Sequence, residues 1–414
     1  MYFDIKHNNF NIETQGSNES WKVSVDCIPQ DMTIDSDNNI YVVGYDISWD
    51  RSLKLLKYDS SGAQLWNKHF AEFYIFSPLI KTDLNNNLYL VCSYRNETSQ
   101  YRNTLVKFNS SGDLQWQQIF EVENIDYISD LAIDSEDNIY IYCDWDSNDY
   151  KNHSIFVMKF NSSGNQIRYS LLEESSNNIH AGGLKTDSEK NLIVSGESYY
   201  DNQWMYWIRR YNASGILKWA TDSKFETFPL FVLDSSENVI TIRETWENIT
   251  YDRNLVLVKF DNSGNSIWNH IFDSKFINNF YYGGIVTPII YQFDLTVDTS
   301  DNIYITWNIE IPNDSYKPDI LMIKVNKSGN FEWYLTWGGP SDDATLKIDT
   351  DLKNNIYLCS DRYLVKNPVS NGKSFYRTNL WYFLLTLFGI FCFISLVSLY
   401  FIIKPRIRNV SNKL

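Results

Sequence analysis

Histidine, cysteine and proline are all scarce in this chain, and each scarcity removes a class of protein. Five histidines and no Cys-x-x-Cys pair leave no ligand set for zinc. No nucleophile elbow, phosphate loop or His-Glu-x-x-His motif occurs either, so no cofactor and no metal are expected. Five scattered cysteines cannot build a disulfide framework. Cys92, Cys143 and Cys359 each follow a repeated tyrosine by two or three residues, and they read as small buried hydrophobes. Nine prolines beside 16% aromatic residues describe a strand-rich, well-packed chain, not a disordered one. Acid is missing from one end only: no Asp or Glu follows Leu380. Residues 1–380 then hold 32 basic and 51 acidic side chains, a net charge of −19. A field of that sign repels phosphate backbones and excludes nucleic acid as a partner.

The acid-free end contains a 23-residue stretch without a charge, "WYFLLTLFGIFCFISLVSLYFII", Trp381 to Ile403. A bilayer core needs about 20 such residues, so a single transmembrane helix is expected over 381–403. Phe375, Tyr376, Trp381 and Tyr382 mark one interface, and Tyr400 and Phe401 the other. Lys404, Arg406, Arg408 and Lys413 make the tail at 404–414 basic, which favours a cytoplasmic C-terminus. The opening "MYFDIKHNNFNIETQG" shows no basic region followed by an apolar run, so no signal peptide is visible in it.

Between residues 16 and 367 the chain repeats itself. One phrase runs "IDSDNNIYVVG" from Ile34, "TDLNNNLYLVC" from Thr82 and "IDSEDNIYIYC" from Ile133, and it continues to "TDLKNNIYLCS" from Thr350. Its aspartates are Asp35, Asp83, Asp134, Asp187, Asp234, Asp298 and Asp351, so seven copies of roughly 50 residues fill the chain. A second phrase runs "KYDSSGAQLWNK" from Lys57, "KFNSSGDLQWQQ" from Lys107 and "KFDNSGNSIWNH" from Lys259. Each copy parses into four strands: an apolar run, an Asx-rich corner, a β-branched and aromatic strand, a polar loop, a charged strand, a Ser-Gly corner and a last strand. Gly62, Gly112, Gly164, Gly215, Gly264 and Gly329 supply the positive φ that a tight corner needs. Four residues later stand Trp66, Trp116, Trp219, Trp268 and Trp333, expected to wedge between blades; the third copy carries Arg168 there.

Seven copies of four antiparallel strands predict an all-β, seven-bladed β-propeller. The seventh copy stops after "YLVKN", and "GSNESWKVSV" (Gly16–Val25) offers its missing strand. The ring is therefore expected to close with one blade built from both ends. The organisation is a 1–15 extension, the propeller over 16–367, a 368–380 linker, the membrane helix and the basic tail. The phrases Asp-x-x-x-Asn-[Ile/Leu]-Tyr and Lys-[Tyr/Phe]-[Asp/Asn]-x-Ser-Gly-x-x-x-Trp resemble the prokaryotic propeller repeat called SBBP. That resemblance implies an exported, surface-attached protein, with the propeller outside the cell. The Gly…Trp corner is also similar to quinoprotein dehydrogenase blades, but the vicinal cysteine pair of those enzymes is absent here.

"DSDNN" (Asp35–Asn39) has the spacing of a calcium loop, but Ile40 stands where the loop needs glycine, and most copies lose the second acid. A turn is the expectation. Sequons at Asn18, Asn96, Asn109, Asn152, Asn161, Asn212, Asn248, Asn313 and Asn326 fit an exported domain.

The second connection of each copy is the long one, and these connections gather on one face of the disc: 45–52, 94–103, 144–153, 197–206, 244–254 and 308–319. They hold Trp49, Tyr94, Tyr101, Trp145, Tyr150, Tyr200, Trp204, Trp246, Tyr251 and Tyr316 among acids and arginines. Aromatic rings with adaptable polar neighbours suit recognition of glycans or proteins, and these ten are the candidate binding residues. No catalytic residue stands out. The expected function is a membrane-anchored, cell-surface binding or adhesion module that is not an enzyme. The alternatives are a hydrolase or lyase acting on surface glycans, which requires carboxylates or a metal converging at the channel mouth, and a purely structural spacer.

Overall fold

In the computed structural model, the described residues run from 20 to 368. They exclude the connections 48–51, 71–73, 96–100, 121–124, 147–151, 202, 224–229, 247–252, 273–292, 311–317, 338–344 and 361–362. Blade 1 comprises β2 (Ile28–Ile34), β3 (Ile40–Tyr45), β4 (Leu53–Tyr58) and β5 (Gln64–Phe70), paired antiparallel in chain order. Blade 2 follows as β6 (Tyr74–Thr82), β7 (Leu88–Arg95), β8 (Tyr101–Phe108) and β9 (Leu114–Phe120). Blade 3 is β10 (Ile125–Ile133), β11 (Ile139–Asp146), β12 (His153–Phe160) and β13 (Gln166–Ser175). Blade 4 is β14 (Ile179–Thr186), β15 (Leu192–Tyr200), β16 (Gln203–Tyr211) and β17 (Leu217–Ser223). Blade 5 is β18 (Phe231–Leu233), β19 (Val239–Trp246), β20 (Arg253–Phe260) and β21 (Ser266–Phe272). Blade 6 is β22 (Phe293–Val297), β23 (Ile303–Glu310), β24 (Pro318–Val325) and β25 (Phe331–Trp337).

Blade 7 takes β26 (Thr345–Thr350), β27 (Ile356–Ser360) and β28 (Tyr363–Lys366) from one end of the propeller and β1 (Trp21–Ser24) from the other. Trp21 lies opposite Lys366 and Ser24 opposite Tyr363, so the expected closure is present. The Lys22 ammonium sits 3.5 Å from the centre of the Tyr363 ring, which adds a cation–π contact to that seam.

The core lies between blades, not within them. Tyr41, Val43 and Leu55 of blade 1 pack on Ile80, Leu88 and Leu90 of blade 2, and the same layering recurs around the ring. Cys27, Cys92, Cys143 and Cys359 are free and buried in these layers; burial pushes the Cys27 and Cys92 thiols up to about 12. Two departures from the sequence reading concern the long connections. Aromatic and β-branched residues at their ends continue the ladders, so β15 reaches Tyr200 and β16 starts at Gln203, with those two residues paired. Likewise β7 extends to Arg95 and β11 to Asp146. No helix among the described residues is long and apolar enough to cross a membrane, and the stretch 381–403 lies outside them.

Candidate functional site

The repeated polar residues form a structural lock at the face of the short corners. In blade 1 the Asp35 carboxylate accepts bonds from the Asp37 and Asn39 backbone N–H groups, the Asn39 amide and the Tyr41 hydroxyl, and Lys57 stands 3.6 Å away. Asp83 and Asp134 are held the same way. Burial pushes the Asp134 carboxyl up, but bonds from Asn138, Glu136 and Tyr140 outweigh it and leave the group below its ordinary range. These aspartates are turn caps.

The tryptophans then join one blade to the next. The Trp66 indole donates to the Ser110 carbonyl of blade 2, which also accepts from Lys57 at 2.9 Å. Trp116 does the same to Ser162 at 3.1 Å, and Trp219 to Asn262 at 3.1 Å. Trp21 and Lys366 close the circle on Ser60 of blade 1, each at 3.0 Å. Where blade 3 lacks its tryptophan, Arg168 donates to Ser214. In blade 5 it is His270, beside Trp268, that reaches the Ser328 carbonyl. The wedges expected from the sequence are also latches.

The opposite face is different. Of the ten aromatic candidates, Trp49, Tyr150, Tyr251 and Tyr316 lie outside the described residues. Tyr101 opens β8 and Trp246 ends β19. Tyr94 is 7% exposed and packs in the layer between blades 1 and 2. Trp145 is half-buried against the layer between blades 2 and 3. Tyr200 is 68% exposed, and Trp204 is half-buried beside Tyr199, ring centres 5.2 Å apart. Blade 4 therefore carries an exposed aromatic shelf.

Beside that shelf the structure gathers a polar set that the sequence reading did not single out. His180, at the start of β14, lies opposite Glu197, and Glu197 lies opposite Tyr206. The His180 Nδ1 is 3.3 Å from a carboxylate oxygen of Asp144 in blade 3, whose other oxygen accepts from Ser129 at 3.2 Å. The imidazole also packs at 5.7 Å, centre to centre, on the Trp204 indole. Glu197 is buried; desolvation pushes its carboxyl up, only partly countered by His180 and by a hydrogen bond with Tyr206. Two carboxylates thus flank one imidazole beside a half-buried indole, with Tyr199 against the indole and Tyr206 opposite Glu197. A signal for this set existed: Asp144, Glu197 and Glu244 each stand ten residues after the repeat aspartate, the end of the second strand in three successive blades.

A second histidine cluster carries no such promise. His69 Nε2 contacts both Ser52 Oγ at 2.9 Å and Asp46 Oδ2 at 3.2 Å, and Ser52 is 1% exposed. Serine and aspartate share one ring nitrogen there, whereas a nucleophilic triad needs both nitrogens and an open hydroxyl. Carboxylates do converge on the axis of the ring, where Asp31, Asp130 and Asp294 sit on the innermost strands. Each is occupied: its two oxygens accept the next backbone N–H and one from the following blade, at Ile80, Leu184 and Ile348 respectively. These three are staples between blades, not acids held in reserve. Among the described residues no group of three or more His, Cys, Asp or Glu side chains could hold a metal ion.

No family model matches the chain, and no curated protein matches it. Among solved structures, one described as a streptogramin B lyase aligns over 84% of this chain and 96% of its own, with a TM-score of 0.50 and 10% identity. A structure of the Dos1 propeller aligns over 84% and 94%, with a TM-score of 0.47 and 10% identity. The Hadza microbial sialidase Hz136 aligns over 76% and 72%, at 0.45 and 10%. At such identity the likeness speaks for architecture alone: the chain is a seven-bladed β-propeller of four-stranded antiparallel blades.

Proposed function

We propose that the protein is a non-catalytic binding module that takes a glycan on its long-loop face, over blades 3 and 4. The observation that carries this reading is the set made by Tyr199 and Trp204 with Asp144, His180 and Glu197. Indole and phenol faces stack on the apolar faces of sugar rings, and carboxylates and an imidazole pair with hydroxyl groups. The other face spends its polar groups on the latches, so the asymmetry favours one binding side.

The same proposal places the chain on a membrane. The apolar run 381–403 supplies the span, and the propeller stands on the outer side with the basic tail in the cytoplasm. β28 leads from the long-loop face to the short-corner face and ends at Lys366. About a dozen residues then separate it from the apolar run, so the latched face looks at the bilayer and the aromatic shelf looks away. Protease added to intact cells tests the sidedness: digestion of the propeller before lysis is expected, and survival until lysis refutes it.

A glycan array probed with the purified chain tests the ligand. Binding is expected and is lost in Trp204→Ala and His180→Ala; a wild-type chain that retains no glycan refutes the reading. One observation favours the enzymatic alternative: a carboxyl held above its ordinary range beside a histidine is what general acid catalysis uses. Incubation with any retained glycan separates the two. An enzyme releases new reducing ends and Glu197→Gln stops it, whereas a binding module leaves the glycan intact.

A further inference from the structure

The repeat supplies its own control for each surface position. Directly after the repeat aspartate, five copies carry serine or threonine and two carry leucine, Leu84 in blade 2 and Leu352 in blade 7. The fold uses the hydroxyl there. Ser36 Oγ donates to Asn86 of blade 2 at 2.7 Å, Ser235 Oγ to Asp301 of blade 6 at 2.8 Å, and Thr299 Oγ1 to Asn354 of blade 7 at 2.6 Å. Leucine gives that bond up. By ring order the counterpart of Leu352 is Asn38 of blade 1, whose side-chain oxygen is buried without a hydrogen-bond partner among the described residues. Nor do the leucines gain burial, since Leu84 is 74% exposed and Leu352 65%.

A third position breaks its pattern in the same way. Directly after the corner glycine the copies carry alanine, aspartate or asparagine, except for Ile216 of blade 4, which is 65% exposed. Among the described residues these are the three most exposed leucine or isoleucine side chains. All three stand in corners of the short-corner face, outside the strands. Blades 2 and 7 flank blade 1, and blade 4 lies across the ring from them, so the three occupy both sides of the axis. An apolar side chain that costs the fold a hydrogen bond and stays in water points to a contact outside the fold.

The chain itself says what lies beyond this face. β28 ends on it at Lys366, and about a dozen residues, at most ~45 Å when extended, lead to the uncharged run 381–403. We propose that the short-corner face rests on the bilayer, with Leu84, Leu352 and Ile216 entering the headgroup region of the leaflet. Lys353, exposed beside Leu352, meets the lipid phosphates there. This inference rests on the reading of 381–403 as a membrane span. It adds that the propeller touches the lipid and does not swing free on its linker. A net charge of −19 over residues 1–380 favours zwitterionic over anionic lipid.

The test reconstitutes the full chain into phosphatidylcholine vesicles with an environment-sensitive fluorophore at Leu84→Cys, at Leu352→Cys or, as the control, at Ile47→Cys. Ile47 is 52% exposed and stands on a long connection, at the opposite face. Four of the five native cysteines are buried, and Cys392→Ser removes the fifth. Nitroxide-bearing lipid is expected to quench the label at both leucines several times more strongly than at Ile47. Equal quenching at all three sites, or none at either leucine in vesicles that float with the chain, overturns the docking and leaves the membrane span standing. A chain that does not float with the vesicles overturns both. A blue shift at the leucines that grows with the protein-to-lipid ratio, without quenching, assigns the face to a second copy and also overturns the docking. In detergent, Leu352→Ser offers Asn38 the missing hydroxyl and is expected to raise the Tm. A fall in Tm means that Leu352 serves the fold, which overturns the reason for placing it in lipid.

Discussion

Substituting alanine at two equivalent corner glycines separates backbone strain from the grip of a tryptophan. Gly112 has φ of +80°, and a Cβ there meets the movable Lys68 Cε at 2.8 Å and the Trp66 ring at 3.1 Å. Gly215 has φ of +78°, but its Cβ meets only the end of the Arg168 guanidinium, at 2.9 Å. A non-glycine residue in this conformation costs about 1–2 kcal/mol at either site. Arg168 swings aside. Trp66 is pinned by its bond to Ser110 and by the Tyr41 edge at 5.8 Å, so it must give up part of its stacking, about a further 1–2 kcal/mol. Gly112→Ala is therefore expected to cost about 3 kcal/mol and Gly215→Ala about 1.5 kcal/mol. For a cooperative unit of ~350 residues, 1 kcal/mol lowers Tm by about 1–2 °C, so losses of roughly 4 °C and 2 °C are expected in scanning calorimetry. In a Trp66→Ala background the two substitutions should cost the same. Equal losses in the wild-type background would mean that the indole bears no load on Gly112.

Trp219→Ala is expected to cost about 3–5 kcal/mol by urea denaturation, and Trp66→Ala less, because Trp219 is 9% exposed whereas Trp66 is only half-buried. Removing residues 1–25 deletes β1 and the Trp21 latch; a large drop in Tm is expected, and a melt like that of the intact chain refutes closure. Asp130→Asn exchanges a carboxylate that accepts two backbone N–H groups for an amide that accepts at one oxygen, and should cost about 1–3 kcal/mol in the same denaturation assay. Because the Glu197 carboxyl is raised in the fold, the folded state holds that proton more tightly than the unfolded chain. Its contribution is therefore full below its unfolded value and is lost as pH rises through its folded value. Glu197→Gln should flatten that fall in a Tm–pH series, with His180, Asp144 and Tyr206 unchanged as its charged and polar neighbours.

The propeller was legible because its corners announce themselves. The Ser-Ser-Gly phrase places glycine where φ is positive, at +87° for Gly62, and a tryptophan on the strand that must meet the next blade. The Asx corner was less open. Its positive-φ position is filled by Asn38 and Asn86 but also by Lys190 and Glu237, residues that gain nothing from that conformation, so local preference does not mark it. The aromatic loops misled in part, since their ends, Tyr94 among them, lengthen strands and fill the layers between blades. The polar set was hidden for another reason. His180, Glu197 and Tyr206 meet across three strands and Asp144 comes from the blade before, so no short motif holds them together.

The shared seventh blade also fixes how the ring answers to force. Any tension carried by the chain beyond Lys366 enters through β28, which is gripped on one side by β27 and on the other by β1. Pulled along its own length, β28 must shear two ladders at once, and Lys366 must leave the Ser60 carbonyl of the first blade as it goes. An outermost strand drawn away sideways would open one bond at a time, like a zipper. Putting the chain's exit on a strand flanked on both sides therefore makes the seam harder to tear than an exit from an outermost strand would.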